Sequence, residues 1–127
     1  MKSILLVEDD PFLIDIYTTK LKEAGFSVEM ANDGGKGLEE LIEKKFDLLI
    51  LDIVLPQIDG WEILEKIQNE KLKIKNENLE DLKIIVLSNL GQKAEVEKGL
   101  KLGATKYLIK AHYTPSEIVE EIKMVLK

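Results

Sequence analysis

A chain of 127 residues, 45% hydrophobic and 33% charged, suits one globular domain with its own core and is too apolar for a disordered segment. Its 24 acidic residues outweigh 18 basic ones, and a net charge of −6 excludes the basic footprint of a nucleic-acid-binding surface. No cysteine and a single histidine exclude disulfides, thiolate zinc sites, cysteine nucleophiles and multi-histidine metal centres.

Short apolar runs alternate along the chain with stretches of helical period, the pattern of a βαβ array. The first run, Ile4-Leu5-Leu6-Val7, enters Glu8-Asp9-Asp10. A helix follows, with Asp10 as N-cap, Pro11 at its first position and Gly25 at its end. Its stripe is read as Leu13, Ile16 or Tyr17, Leu21 and Ala24, which leaves Phe12 and Ile14 off the buried face beside the acids. Residues 27–31 form a short second strand. Residues 34–44 form a second helix that buries Leu38, Leu41 and Ile42.

The third strand, Leu48-Leu49-Ile50-Leu51, runs into Asp52. A loop through Pro56, Asp59 and Gly60 then leads to a third helix from Trp61. Residues 69–81, rich in Lys, Asn and Glu, suit either a longer third helix or a solvated loop, and mostly loop is expected beyond Lys71. Ile84-Ile85-Val86-Leu87 ends at Ser88, and residues 92–102 form a fourth helix stopped by a left-handed Gly103. Tyr107-Leu108-Ile109 ends at Lys110. Thr114-Pro115-Ser116-Glu117 then opens a last helix with a capping box, and Ile118, Val119, Ile122, Val125 and Leu126 form its apolar face. Five strands and five helices in strict alternation, joined by right-handed crossovers, define an α/β doubly wound three-layer sandwich. No repeat or linker divides it, so residues 1–127 are expected to form a single domain. No apolar run is long enough to span a membrane and no signal-peptide pattern is present, so a cytoplasmic protein is expected.

In such a sheet ligands bind outside the carboxyl ends of the strands, where Glu8, Asp9, Asp52, Ser88 and Lys110 gather. Packed carboxylates call for a cation, and oxygen ligands without imidazole or thiolate favour Mg²⁺, with Mn²⁺ as the alternative. Lys110 supplies a point charge to a phosphoryl group and Ser88 a hydrogen bond. A carboxylate nucleophile beside Mg²⁺ and opposite a lysine suits acyl phosphate formation. Each residue alone has a plainer reading as a cap or surface side chain; their joint occurrence at the strand ends is what points to a site. A flavodoxin-like cofactor binder needs a Ser/Thr/Gly-rich loop where this chain has acids, and a haloacid-dehalogenase-type phosphatase needs an aspartate where it has Val54.

The runs Ile4-Leu5-Leu6-Val7-Glu8-Asp9-Asp10 and Asp47-Leu48-Leu49-Ile50-Leu51-Asp52-Ile53-Val54-Leu55-Pro56 with Asp59-Gly60 carry a family resemblance. So do Ile85-Val86-Leu87-Ser88 and Gly103-Ala104 through Tyr107-Leu108-Ile109-Lys110. Together they resemble a response-regulator receiver domain of two-component signalling, similar to chemotaxis regulators, over essentially the whole chain. The resemblance implies a flavodoxin-like five-stranded parallel sheet of order 2-1-3-4-5. It implies Asp52 as phosphoacceptor from a sensor histidine kinase or phosphotransfer protein, and Mg²⁺ held by Asp9, Asp52, the Val54 carbonyl and, through water, Glu8. It further implies Lys110 as phosphate contact, Ser88 as switch hydroxyl and Tyr107 as switch aromatic. The output would be a downstream protein bound on the face of the fourth helix, fifth strand and fifth helix, with no nucleic acid or membrane contact by this domain. The protein would be a signalling switch that catalyses only its own phosphorylation and dephosphorylation. A pseudo-receiver working without phosphorylation is the other class, and the intact Glu8, Asp9, Asp52 and Lys110 argue against it.

Two departures from the family pattern stand out. Lys110 is followed by Ala111 where the family has proline after a cis peptide, and a cis Lys110–Ala111 bond is expected because lysine placement depends on that turn. Val54 and Leu90 put apolar side chains where some relatives orient hydrolytic water, and Asn89 stands where a small residue is common. Slow autodephosphorylation is therefore expected. Phe12 and Ile14 are expected to form a kinase-docking patch, and His112 is read as a loop residue.

Overall fold

The computed structural model describes residues 1–69, 79 and 81–127. Among these residues the elements are β1 (Ser3–Val7), α1 (Pro11–Glu23), β2 (Ser27–Ala31), α2 (Gly34–Glu43), β3 (Leu48–Leu51) and α3 (Gly60–Gln68). They continue with β4 (Lys83–Ser88), α4 (Lys93–Lys101), β5 (Lys106–Ile109), a 3₁₀ turn (Lys110–His112) and α5 (Pro115–Val125). The loop expected beyond Lys71 lies mostly outside the described residues.

The strands form one parallel sheet in the order β2-β1-β3-β4-β5. A parallel sheet covered by helices on both faces needs strands apolar on both sides, and the central ones are. Leu5, Val7, Leu49, Leu51, Ile84 and Val86 pack with Leu41 of α2 and Ile63, Leu64 and Ile67 of α3. Ile4, Leu6, Leu48, Ile50, Ile85 and Leu87 pack on the other face with Tyr17 and Leu21 of α1 and Ile118, Val119 and Ile122 of α5. Full burial of each such side chain is worth about 1.5–3 kcal/mol, which makes register slippage costly.

Local chemistry sets the helix starts. Asp10 Oδ1 accepts from Phe12 N at 2.9 Å and Leu13 N at 3.4 Å, and Pro11 occupies a position whose N–H has no intrahelical partner. Thr114 and Glu117 form the expected capping box, and Gln92 with Glu95 makes another at α4. Gly25 and Gly103 take positive φ values of 95° and 107° after α1 and α4, where a side chain would be strained.

Two expectations about helix faces need correction. Ile14 is buried, at 8% exposure, with Tyr17 and Leu21, whereas Leu13, Ile16 and Ala24 are half-buried. α1 packs against β2 as well as α5, and Ile14, three residues before Tyr17 and seven before Leu21, lies on the same helical face as both. On α2, Leu41 is buried, Leu38 half-buried and Ile42 exposed, because Gly37 occupies the closest approach to the sheet and Gly34 abuts the loop before α3. A Cβ on Gly37 would lie 2.9 Å from Val7 Cγ2, and one on Gly34 would collide with the Ile58 carbonyl.

Candidate functional site

The strand order reverses its direction of growth between β1 and β3, and a crevice opens there at the carboxyl ends. Val7 pairs with Leu51 and Leu51 with Val86, so Glu8 and Asp52 leave their strands side by side with Ser88 close to that level on β4. Ser88 pairs with Ile109, which delivers Lys110 to the same edge. Glu8, Asp9, Asp52, Val54, Ser88 and Lys110 line one open pocket of about 280 Å³, together with Asp10, Leu13, Asn89 and Leu90. Every side chain expected at the strand ends is therefore brought together there.

Burial and pairing divide the acids. Glu8 and Asp52 are buried, at 1% and 6% exposure, while Asp9 faces solvent. Lys110 Nζ lies 2.6 Å from Glu8 Oε1 and 2.8 Å from Asp52 Oδ2, an internal cation shared by two carboxylates. Glu8 Oε2 accepts from Asp9 N and Asp10 N, both at 3.1 Å. Asp52 Oδ1 accepts from Ile53 N at 2.7 Å. Both buried carboxylates are thus hydrogen-bonded through each oxygen, as burial requires.

Burial pushes the Glu8 carboxyl above its ordinary value and the neighbouring Asp52 charge adds to this, while the Lys110 ammonium opposes both. For Lys110 burial acts downward, but its hydrogen bonds to Asp52 and Glu8 prevail and hold it above its ordinary value. The lysine stays cationic.

The Lys110–Ala111 peptide is trans, which corrects the expected cis bond. Without a proline the cis form has no intrinsic support. The chain instead enters a 3₁₀ turn in which Tyr113 N donates to Lys110 O at 3.3 Å, and the long lysine stem reaches both carboxylates from there. His112 is exposed on this turn, in keeping with a loop role.

Carboxylate oxygens of Glu8, Asp9 and Asp52 lie within 4.8 Å of one another. Hard oxygen donors around an open pocket fit a hydrated divalent cation such as Mg²⁺, which takes one or two carboxylates and keeps water.

Beyond the acids, Ser88 is buried and its Oγ accepts from Leu90 N at 3.3 Å. Tyr107 is half-buried, its hydroxyl donating to Leu90 O at 2.5 Å. Burial raises the Tyr107 phenol above its ordinary value, and the Glu95 charge adds to the effect. Leu90 thus links Ser88 to Tyr107 through its own backbone, a role no sequence signal marks. The loop after Asp52 is pinned from α2 and α3: Gly34 N donates to Pro56 O at 3.1 Å and Gly60 N to Ile53 O at 2.8 Å. Of the two residues expected to form a docking patch, Phe12 is 70% exposed and Ile14 is buried.

Fold and site together define a doubly wound α/β protein with an acidic crevice at its topological switch point. More particularly, residues 4–123 match the response regulator receiver domain family, and the chain belongs to it. It is 30% identical over 127 residues to the "DNA-binding dual master transcriptional regulator RpaA" of Synechocystis, covering 100% of this chain and 50% of that protein. It is 32% identical over 124 residues to the "Transcriptional regulatory protein CusR" of Escherichia coli K12, covering 98% and 51%. The chain spans about half the length of these curated relatives. Among solved structures, a CheY-like receiver domain protein from Methanospirillum hungatei superimposes with a TM-score of 0.84 at 30% identity, covering 99% of this chain and 94% of that one. Among the described residues, no helix is long and apolar enough to cross a membrane.

Proposed function

We propose that residues 1–127 act as one cytoplasmic receiver domain in which Asp52 accepts a phosphoryl group from the phosphohistidine of a sensor histidine kinase or phosphotransfer protein. The observation that carries this reading is the buried Asp52 carboxylate, anchored by Ile53 N at 2.7 Å and Lys110 Nζ at 2.8 Å on the floor of an open acidic pocket. In the transfer a new bond forms between an Asp52 oxygen and phosphorus. The phosphorus–nitrogen bond of the donor breaks and its electron pair returns to the imidazole. Mg²⁺, held by Asp9, Asp52 and the Val54 carbonyl with Glu8 behind water, would neutralise phosphoryl charge. Lys110 turns from the carboxylates to a phosphoryl oxygen as a point charge, and Ser88 donates its hydroxyl to another.

Movement of Ser88 towards the phosphoryl group draws its Oγ away from Leu90 N. This disturbs the residue that Tyr107 holds, and the change is read out by a protein partner on the face of α4, β5 and α5. The domain is a switch whose only reactions are its own phosphorylation and dephosphorylation.

Incubation with acetyl phosphate or phosphoramidate, with Mg²⁺ or with chelator, tests the proposal by intact mass. A gain of one phosphoryl group that needs Mg²⁺ and is absent in Asp52→Asn is expected. No adduct under any condition would replace this reading with a binding module that works without phosphorylation.

A further inference from the structure

Gly99 stands in the last turn of α4, although glycine is among the poorest helix formers, and it is a buried residue of that helix. The space beside it is taken. A Cβ at Gly99 would lie 2.6 Å from Tyr107 Cδ2 and 2.9 Å from Cε2, with Trp61 Cζ3 3.8 Å away. Contacts that short are not tolerated, and ring atoms so near the backbone move away only if the whole side chain rotates. α4 is itself held beside Trp61, whose ring centroid lies 4.3 Å from Lys98 Nζ, and the Gln92–Glu95 capping box fixes its first turn. Tyr107 is therefore the partner that yields.

We propose that Gly99 is a positioning residue for Tyr107: its missing side chain forms the seat in which the ring lies while the hydroxyl reaches Leu90 O. Through Leu90, whose N–H donates to Ser88 Oγ, the seat joins α4 to the site hydroxyl. A side chain at residue 99 uncouples them. This deepens the switch proposed above, and rests on that reading only for the event that moves Ser88.

A double-mutant cycle on thermal unfolding tests the seat, with Gly99→Ala introduced into the wild type and into the Tyr107→Ala variant. Alanine ordinarily strengthens a helix relative to glycine, so a residue with no positioning role raises the midpoint in both. The expected result is a lowered midpoint with Tyr107 present and a raised one in the Tyr107→Ala variant. Equal rises overturn the proposal. Should Gly99→Ala fail to fold, recovery in the double variant is the expected rescue, and failure of both overturns it.

Tyrosine titration by ultraviolet difference spectra gives a readout that helix stability alone does not move. One raised phenol returns towards its ordinary value in Gly99→Ala, and an unchanged titration counts against the seat. Acetyl phosphate with Mg²⁺ labels the wild type and Gly99→Ala alike. Absence of label in the wild type would sink the receiver reading and leave the result of the unfolding cycle for Gly99 intact.

Discussion

Replacing Lys110 by methionine keeps an aliphatic stem and removes the one charge that both buried carboxylates share. The wild-type ammonium lies 2.6 Å from Glu8 and 2.8 Å from Asp52, whose side chains are 2% and 8% exposed. Removing one partner from a buried ion pair costs about 3–5 kcal/mol, because the remaining charge is left uncompensated. Here the pocket opens to water beside the exposed Asp9, which lets solvent reach the acids and favours the lower end, about 3 kcal/mol. At roughly 4 °C per kcal/mol for a domain of this size, Tm falls by about 12 °C in chelator at neutral pH.

The deficit should shrink in two ways. Glu8 already sits above its ordinary value of 4.5, and loss of the lysine that opposes this shift raises it further. A carboxyl with a raised folded-state value binds more protons folded than unfolded between the two values. Stability therefore falls as pH rises through that interval and returns on acidification. The wild-type lysine has its own raised value, so its pairing is lost only above its ordinary 10.5, outside this assay. Mg²⁺, which supplies positive charge to the folded state alone, should raise the Tm of Lys110→Met more than that of the wild type. Circular dichroism melts at pH 7 and pH 5, with chelator and with Mg²⁺, give all three comparisons. A variant within about 2 °C of the wild type in chelator would refute the shared-cation arrangement.

Val54 is 61% exposed and Leu90 half-buried on the pocket wall, so neither holds water for hydrolysis of a phosphorylated Asp52. Val54→Asn with Leu90→Glu should shorten the phosphoryl lifetime about tenfold or more, read from decay of the mass adduct; an unchanged lifetime rejects apolar lining as the cause. In Gly60→Ala the new Cβ would meet Asp52 O at 2.5 Å and Ile53 Cα at 2.7 Å. Backbone atoms cannot step aside cheaply, so urea unfolding should show a loss of about 1–3 kcal/mol, and a neutral result would mean the loop after Asp52 is more compliant than its hydrogen bonds imply. Phe12→Ala removes a 70% exposed ring and should change stability by less than about 0.5 kcal/mol. It should slow phosphotransfer from a histidine kinase while leaving labelling by acetyl phosphate as it was; equal kinase rates would remove Phe12 from the docking surface.

The amino-acid sequence by itself determined the features whose causes are local. Asp10-Pro11 and Thr114-Pro115-Ser116-Glu117 start helices through groups a few residues apart. The apolar runs before Glu8, Asp52 and Ser88 declare strands buried on both faces, and from there the acids, hydroxyl and lysine must meet at one sheet edge. Only the tertiary structure decided what depends on how distant elements lean on each other. Of the apolar residues on α1, packing on β2 and α5 buries Ile14 with Tyr17 and Leu21, which share its helical face, and leaves Leu13 and Ile16 half-buried. Lys110 reaches Glu8 and Asp52 from a trans peptide because a 3₁₀ turn replaces the bend that a cis proline would make. Gly34, Gly60 and Gly99 matter for the atoms that fill their missing side-chain space, and those atoms belong to Ile58, Asp52, Ile53 and Tyr107. Hydrogen-bonding and periodicity rules act over one helical turn, whereas close packing couples surfaces brought together only when the sheet is assembled.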